Sequence, residues 1–248
     1  MSQIFNLRLA TETSAIDAQQ LGVTIEQLQR IRVDVSATII QQPKPYLWLT
    51  YQIKLPHPSL AAKLNWPVWE QEQVGFSDYL WEQTCLECFI ETGFIAADSS
   101  VNNNPVNDSS INDSKAKGYI EVNASPNGRY ALYQFNSYRN PSTLPPNPLL
   151  RTDGRTRAHI DWNDSTFTPH SHYEHDPCFY ERSFGLPLNQ LSNQPFAIKP
   201  IAIERLHPCV ILWFGEIVLY FAPNHASPPD FHQQQYWSRF DYKSALAK

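Results

Sequence analysis

Short runs of aromatic and β-branched residues, ended again and again by proline, leave this chain little room for anything but strands. Twenty prolines stand against eight glycines. Proline fixes its own φ and lacks an N–H, so it stops helices and interrupts sheets. Between the prolines, residues 31–40 (IRVDVSATII) and 46–55 (YLWLTYQIKL) have the composition of strands. So do 80–91, 119–124, 130–138, 156–162, 179–188, 196–204 and 209–221. About nine strands with long loops and little helix predict an all-β chain, an antiparallel β-sandwich. Residues 16–30 alone carry a helical spacing, at Ile16, Leu21, Ile25 and Leu28. With no internal repeat and no composition break, residues 1–248 are expected to form a single domain.

Charge and hydropathy exclude several classes of function. The formal net charge is -5 and no basic run occurs, so nucleic acid is not an expected partner. No stretch approaches the ~18 consecutive apolar residues of a membrane span. The opening MSQIFNLRLATETSAID has neither a basic n-region nor an apolar h-region, so the expected compartment is the cytoplasm. Cys85, Cys88, Cys178 and Cys209 would stay reduced there.

Cys85-Leu86-Glu87-Cys88 has the spacing of a redox or zinc motif. On a strand, however, alternate residues point to opposite faces. Cys85 and Cys88 would then look away from each other and share neither a disulfide nor a metal. No second CxxC follows, and no helix pattern begins at the first. Both cysteines read as small apolar strand residues.

Glu87 is the stranger residue, because its sequence neighbours are apolar. A carboxylate near a core needs a partner. Arg139 or a tyrosine hydroxyl is the expected one. The next hairpin repeats the pattern, with Ile120, Val122 and Ala124 on one face and Tyr119, Glu121 and Asn123 on the other. Pairing Ala124 with Arg129 across the turn Ser125-Pro126-Asn127-Gly128 would put Tyr130 on the face of Glu121 and Asn123. Carboxylates, amides and tyrosines on one face suit sugar hydroxyls, and they equally suit a solvated outer surface.

Three stretches, LWEQTCLECFIE, GYIEVNASPNGRYALYQFNSYR and PDFH, occur here in an order that resembles the bacterial DOMON-like proteins related to family-nine carbohydrate-binding modules. The resemblance spans residues 80–139, with a second anchor at 229–232. It implies a DOMON-like β-sandwich that binds a carbohydrate or another small polar ligand. In the sugar-binding relatives two aromatic rings enclose a terminal sugar, and a Glu, an Asn and an Arg bond its hydroxyls. By motif position Trp81 supplies one ring and Glu87 the carboxylate. Phe231, Tyr236 and Trp237 are candidates for the second ring. Six residues of regular strand span ~20 Å, so Trp81 and Glu87 meet one sugar only if the chain bends before Cys85. The candidate ligand-binding set is Trp81, Glu87, Glu121, Asn123, Tyr130, Arg139, Asp230 and His232. The family's structural calcium has no motif to sit on here. Some DOMON domains hold haem through Met and His, but the one methionine here is Met1, so no such haem, and no other cofactor, is expected.

Asp230 and His232 fit an acid–base pair or hydrogen-bonded loop anchors. His170, His172 and His175 fit a metal loop or chance histidines in a polar loop. The leading expectation is a non-catalytic ligand-binding protein. A glycoside hydrolase-like enzyme using Glu87 and Glu121 as paired carboxylates is the first alternative; an open cleft holding both would favour it. A protein-interaction domain is the second, marked by a flat apolar patch and no cleft.

Residues 97–117 (ADSSVNNNPVNDSSINDSKAK) are expected to form a flexible surface loop. So little of the tract is apolar that ordering it gains little against backbone entropy. Replacing most of it by a short turn should leave the melting temperature within a few degrees, and a loss of folding would show that it packs on the body.

Overall fold

The computed structural model describes residues 1–93, 118–163, 176–191 and 203–247. The tract 97–117, the histidines at 170, 172 and 175, and most of the run expected at 196–204 lie outside them. The described chain is mostly β. Its strands are β1 (Gln3–Leu9), β2 (Arg32–Ile40), β3 (Tyr46–Lys54), β4 (Gly75–Phe76), β5 (Cys85–Thr92) and β6 (Tyr119–Ala124), then β7 (Arg129–Phe135), β8 (Asp161–Trp162), β9 (Phe179–Pro187), β10 (Ile203–Phe214), β11 (Ile217–Ala222) and β12 (Ser238–Arg239). They hydrogen-bond into one continuous curled sheet of 12 strands, ordered β4-β7-β6-β5-β10-β11-β1-β2-β3-β9-β8, with β12 beside β10. Two separate layers and nine strands were expected. β1, β4 and β12 fall outside the expected runs, and β1 is the strand that makes the sheet continuous. Residues 3–7 of β1 pair with β2, while Arg8 and Leu9 pair with β11. One short strand thus joins two half-sheets.

The run expected as one strand at 209–221 is a hairpin. Gly215, at φ 67, turns the chain between β10 and β11. The helix expected across 16–30 is two: α1 (Ser14–Leu21) and α2 (Ile25–Gln29). Gly22 closes α1 in the left-handed conformation, and Thr24 and Gln27 form a capping box that opens α2. No helix among the described residues is long and apolar enough to cross a membrane.

The inside of the curl is filled by Val33, Val35, Leu47, Leu49, Leu86, Cys88, Ile90, Val122, Leu132, Val210 and Phe184. The opposite face of the β7-β6-β5-β10-β11 half carries a second cluster, with Cys85, Phe89, Tyr119, Tyr133, Phe135, Cys209, Phe231 and Trp237. Cys85 and Cys88 therefore sit in different clusters, on opposite faces of β5, and all four cysteines are free. β5 is covered on both faces, and every residue but Thr92 is buried.

One turn decides what faces the second cluster. Ser125 N–H donates to Arg129 O at 2.8 Å, and Gly128 N–H to Ser125 O at 3.0 Å. The loop is three residues, with Gly128 at φ 105 as its bulge. Ala124 consequently faces Tyr130, not Arg129. A slip of one residue exchanges faces. Tyr130 turns to the inner core, while Ala131, Tyr133 and Phe135 join Glu121 on the other side.

A Cβ at Gly128 would stand 2.9 Å from Val74 Cγ2 and 3.0 Å from Trp69 Cζ3, besides its positive φ. Gly128→Ala should cost about 1–3 kcal/mol, combining left-handed strain and overpacking. Denaturant unfolding measures it; an unchanged midpoint would mean that the hairpin does not need its bulge.

Candidate ligand-binding cleft

A cleft of about 460 Å³ opens on the second cluster's face, lined by Trp81, Glu87, Phe89, Glu121, Phe135, Arg139, Ile211, Tyr220, Asp230, Phe231 and His232, with residues 141–144 and 146 along one rim. Three elements far apart in sequence bring these residues together. β5 and β6 supply the floor. Because β5 pairs Glu87 with Asn123 and Phe89 with Glu121, the two carboxylates stand diagonally across neighbouring strands. Glu87 is 3% exposed and Glu121 5%.

The bend that Trp81 requires is present. Tyr79, at φ 61, leads into a single 3-10 turn, Leu80–Glu82. Tyr133 Oη–H donates to Asp78 Oδ1 at 2.8 Å and fixes the entry. Thr84 fixes the exit, its hydroxyl donating to Asn65 O at 2.6 Å and accepting from Trp213 N–H at 3.1 Å. Trp81 is thereby folded over the sheet, edge-on to Tyr133 at 6.1 Å. β5 begins only after the bend, so Trp81 and Glu87 line one cleft.

The far wall is the 229–232 loop. Asp230 Oδ1 accepts from Arg139 Nη2 at 2.9 Å and from His232 N–H at 3.0 Å, and Asp230 Oδ2 accepts from Tyr138 Oη–H at 2.6 Å. Burial alone would raise the Asp230 pKa, but these three hydrogen bonds outweigh it and hold the carboxyl below its usual range. Asp230 and His232 are thus loop anchors that share no side-chain bond. Arg139, the expected partner of Glu87, is instead held at the rim by Asp230.

His232 Nδ1 meets the Tyr119 hydroxyl at 2.6 Å, and that oxygen accepts Arg139 N–H at 3.2 Å. One proton, from the phenol or from Nδ1, bridges the two groups. Nε2 faces Glu121 Oε2 at 3.7 Å. Burial pushes the His232 pKa down to about 3, so the ring stays neutral. Glu121 Oε1 accepts from Asn123 Nδ2 at 2.7 Å. Asn123 is itself fully buried and lies behind the floor rather than on it.

Glu87 differs from the other buried acids. Glu91, on the same face of β5, lies 3.6 Å from Arg205 Nε. Among the described residues Glu87 has no ion pair. Among those residues no tyrosine hydroxyl reaches its carboxyl either, and the neighbouring Cys85 thiol points to Asn123 Oδ1 at 3.9 Å. Tyr51, buried in the inner core, donates through the sheet to the Glu87 carbonyl oxygen at 2.7 Å, leaving the side chain to the cleft. Burial, reinforced by the like charge of Glu121, raises the Glu87 pKa well above the ordinary value. Burial also raises Glu121.

Of the expected set, Trp81, Glu87, Glu121, Arg139, Asp230 and His232 converge on this cleft, and Asn123 stands one layer behind. Tyr130 does not belong to it. Of the three candidates for a second ring, Phe231 lines the cleft, while Trp237 packs in the cluster with its Nε1–H on Phe231 O at 2.8 Å. Phe89 and Phe135 were missed, although alternation from Glu87 and Glu121 marks Phe89. Nothing in the pattern marks Leu144, which stands 73% exposed on the rim.

No family model matches the chain, so the DOMON-like resemblance stands on its motif residues alone. No curated protein matches it either. Among solved structures the chain is similar to a protein from Bacteroides uniformis ATCC 8492 described as a "putative carbohydrate-binding protein", at 11% identity and a TM-score of 0.48, covering 96% of this chain and 85% of that one. So distant a likeness says nothing of the cleft.

The raised carboxyl of Glu87 has a signed consequence for stability. A carboxyl with a higher pKa folded than unfolded stabilises the protein fully below the unfolded value of 4.5. That contribution is lost as pH rises towards the folded value, at up to about 1.4 kcal/mol per pH unit. Glu87→Gln cannot ionise. It should therefore match the parent protein near pH 4 and become progressively more stable than it as pH rises to neutrality. Unfolding curves at several pH values test this; a variant less stable throughout would show that the carboxyl has a structural partner.

Proposed function

We propose that the cleft binds a small polar ligand of about the size of a sugar residue, and that the protein does no chemistry on it. The observation that carries this reading is the floor: two buried carboxyls in a concave, aromatic-walled space, with no cation among the described residues paired to Glu87. Ligand pockets are typically ~300–1,000 Å³, mostly apolar, with a few placed polar groups, and this cleft has that make-up. Trp81, Phe89, Phe135 and Phe231 offer rings against C–H faces, while Glu87, Glu121, His232 and Arg139 offer hydrogen bonds. The two rigid strands beneath the carboxyls favour binding by pre-organisation. A concave floor of this kind speaks against the flat patch of an interaction domain. The DOMON-like resemblance of the three motif stretches points the same way.

The paired carboxyls keep one second reading in view. Both are buried, both line an open cleft, and each raises the other's cost of ionising. That is the arrangement in which one carboxyl holds a proton while its neighbour is charged, as glycoside hydrolysis requires. Release of a chromophore from aryl glycosides, abolished in Glu121→Gln, would favour this reading over simple binding.

A thermal-shift screen against mono- and disaccharides tests the binding reading, because a ligand that prefers the native state raises its melting temperature. Glu121→Gln should weaken a hit about ten- to a hundredfold, the equivalent of ~1.5–3 kcal/mol for a lost charged hydrogen bond, and Trp81→Ala should weaken it by removing a stacking ring. Unchanged affinity in both variants would place the ligand elsewhere.

A further inference from the structure

The cleft is unbalanced in charge. Three carboxyls line it (Glu87, Glu121 and Asp230) against one guanidinium, Arg139. Asp230 and Arg139 cancel at the rim through their 2.9 Å contact. Nothing similar happens at the floor. The buried acid on the same face but outside the cleft, Glu91, is matched by Arg205. Glu87, aimed into the cleft, is matched by no cation among the described residues. His232 Nε2 stands 3.7 Å from Glu121 but belongs to a ring that burial keeps neutral. Ionising both acids is costly while no cation stands between them, and the open side of the pair, where a cation would lift that cost, faces the ligand space.

Diagonal residues on antiparallel strands have their Cβ atoms no more than about 7–8 Å apart. One donor group placed between such side chains can reach both carboxyls. The rings of Trp81, Phe89, Phe135 and Phe231 line the same cleft, and an aromatic face attracts a cation more than a neutral hydroxyl. Negative lining in a low-dielectric cleft adds a longer-range attraction of the same sign.

Building on the ligand-binding reading, we infer that the ligand carries a protonated amine that docks between Glu87 and Glu121, as in an amino sugar or a similarly sized hydroxylated amine. An ammonium supplies three N–H donors and accepts none, which answers two carboxylates better than a hydroxyl does. Glu87 is then the residue that selects the amine over the alcohol, and Arg139 leaves room for it by staying on Asp230.

Matched probes decide the matter. Glucosamine, glucose and N-acetylglucosamine, and the galactose series, would be titrated into the full-length protein by calorimetry, with thermal shift in parallel. The amines should bind at least tenfold more tightly than the matching sugars, and acetylation should remove the advantage. Glu87→Gln should level the amine with the alcohol, with circular dichroism confirming its fold. Equal or tighter binding of the neutral sugars would overturn the amine inference while leaving the cleft a ligand site. No binding by any probe would overturn both.

Discussion

The structure turns on a central strand that is buried on both faces and still carries carboxylates. Strands of that kind usually read as continuous apolar runs. β5 departs from the rule at Glu87 and Glu91, and the surroundings treat the two residues differently. Arg205 meets Glu91. Around Glu87 the neighbouring strands contribute Asn123 and Cys209, neither of which brings a charge. The apolar inner core below fixes the strand's height and register, and Tyr51 ties the Glu87 backbone to it. Rigid support from beneath and an unmatched group above are what make a concavity into a site.

The walls serve this floor by holding strain in place. Tyr79 and Arg139 both adopt positive φ without being glycine, which costs on the order of 1–3 kcal/mol each. Each is held by a tyrosine of the second cluster or its contacts: Tyr133 anchors Asp78 beside Tyr79, and the Tyr119 hydroxyl accepts the Arg139 amide. The same tyrosine hydroxyl holds the His232 ring through Nδ1. Aromatic residues whose rings fill the second cluster thus use their hydroxyls to aim the cleft's polar groups.

Much of this was legible in the sequence, and for identifiable reasons. Strict alternation put Cys85 and Cys88 on opposite faces, and Glu87 opposite the core. The three motif stretches do meet in one place, although nothing local says that residues 229–232 return to β5. What failed was register and reach. The turn after Ala124 was read as four residues, and its bulge at Gly128 moved Tyr130 to the core and Phe135 to the cleft. Arg139 or a tyrosine hydroxyl was expected to hold Glu87, but the Arg139 guanidinium pairs with Asp230 instead. β1 escaped notice although Phe5, Leu7 and Leu9 alternate along QIFNLRL, the pattern of a half-buried strand. Its role depends on partners that are remote in sequence.

That remoteness has a consequence in time. Arg8 pairs with Ala222 and Leu9 with Phe221, so the sheet is joined across more than two hundred residues of intervening chain. Closing a long loop costs entropy before the contact repays it, and folds rich in such pairings form slowly. The half containing β2 and β3 can zip locally. The half containing the cleft must assemble β5, β6 and the β10–β11 hairpin before β1 has both its edges to bond. Until then β2 and β11 each present a row of unpaired backbone groups, the kind of edge that recruits strands from other chains. During its folding, the segment closing the sheet also shields this protein from its own neighbours.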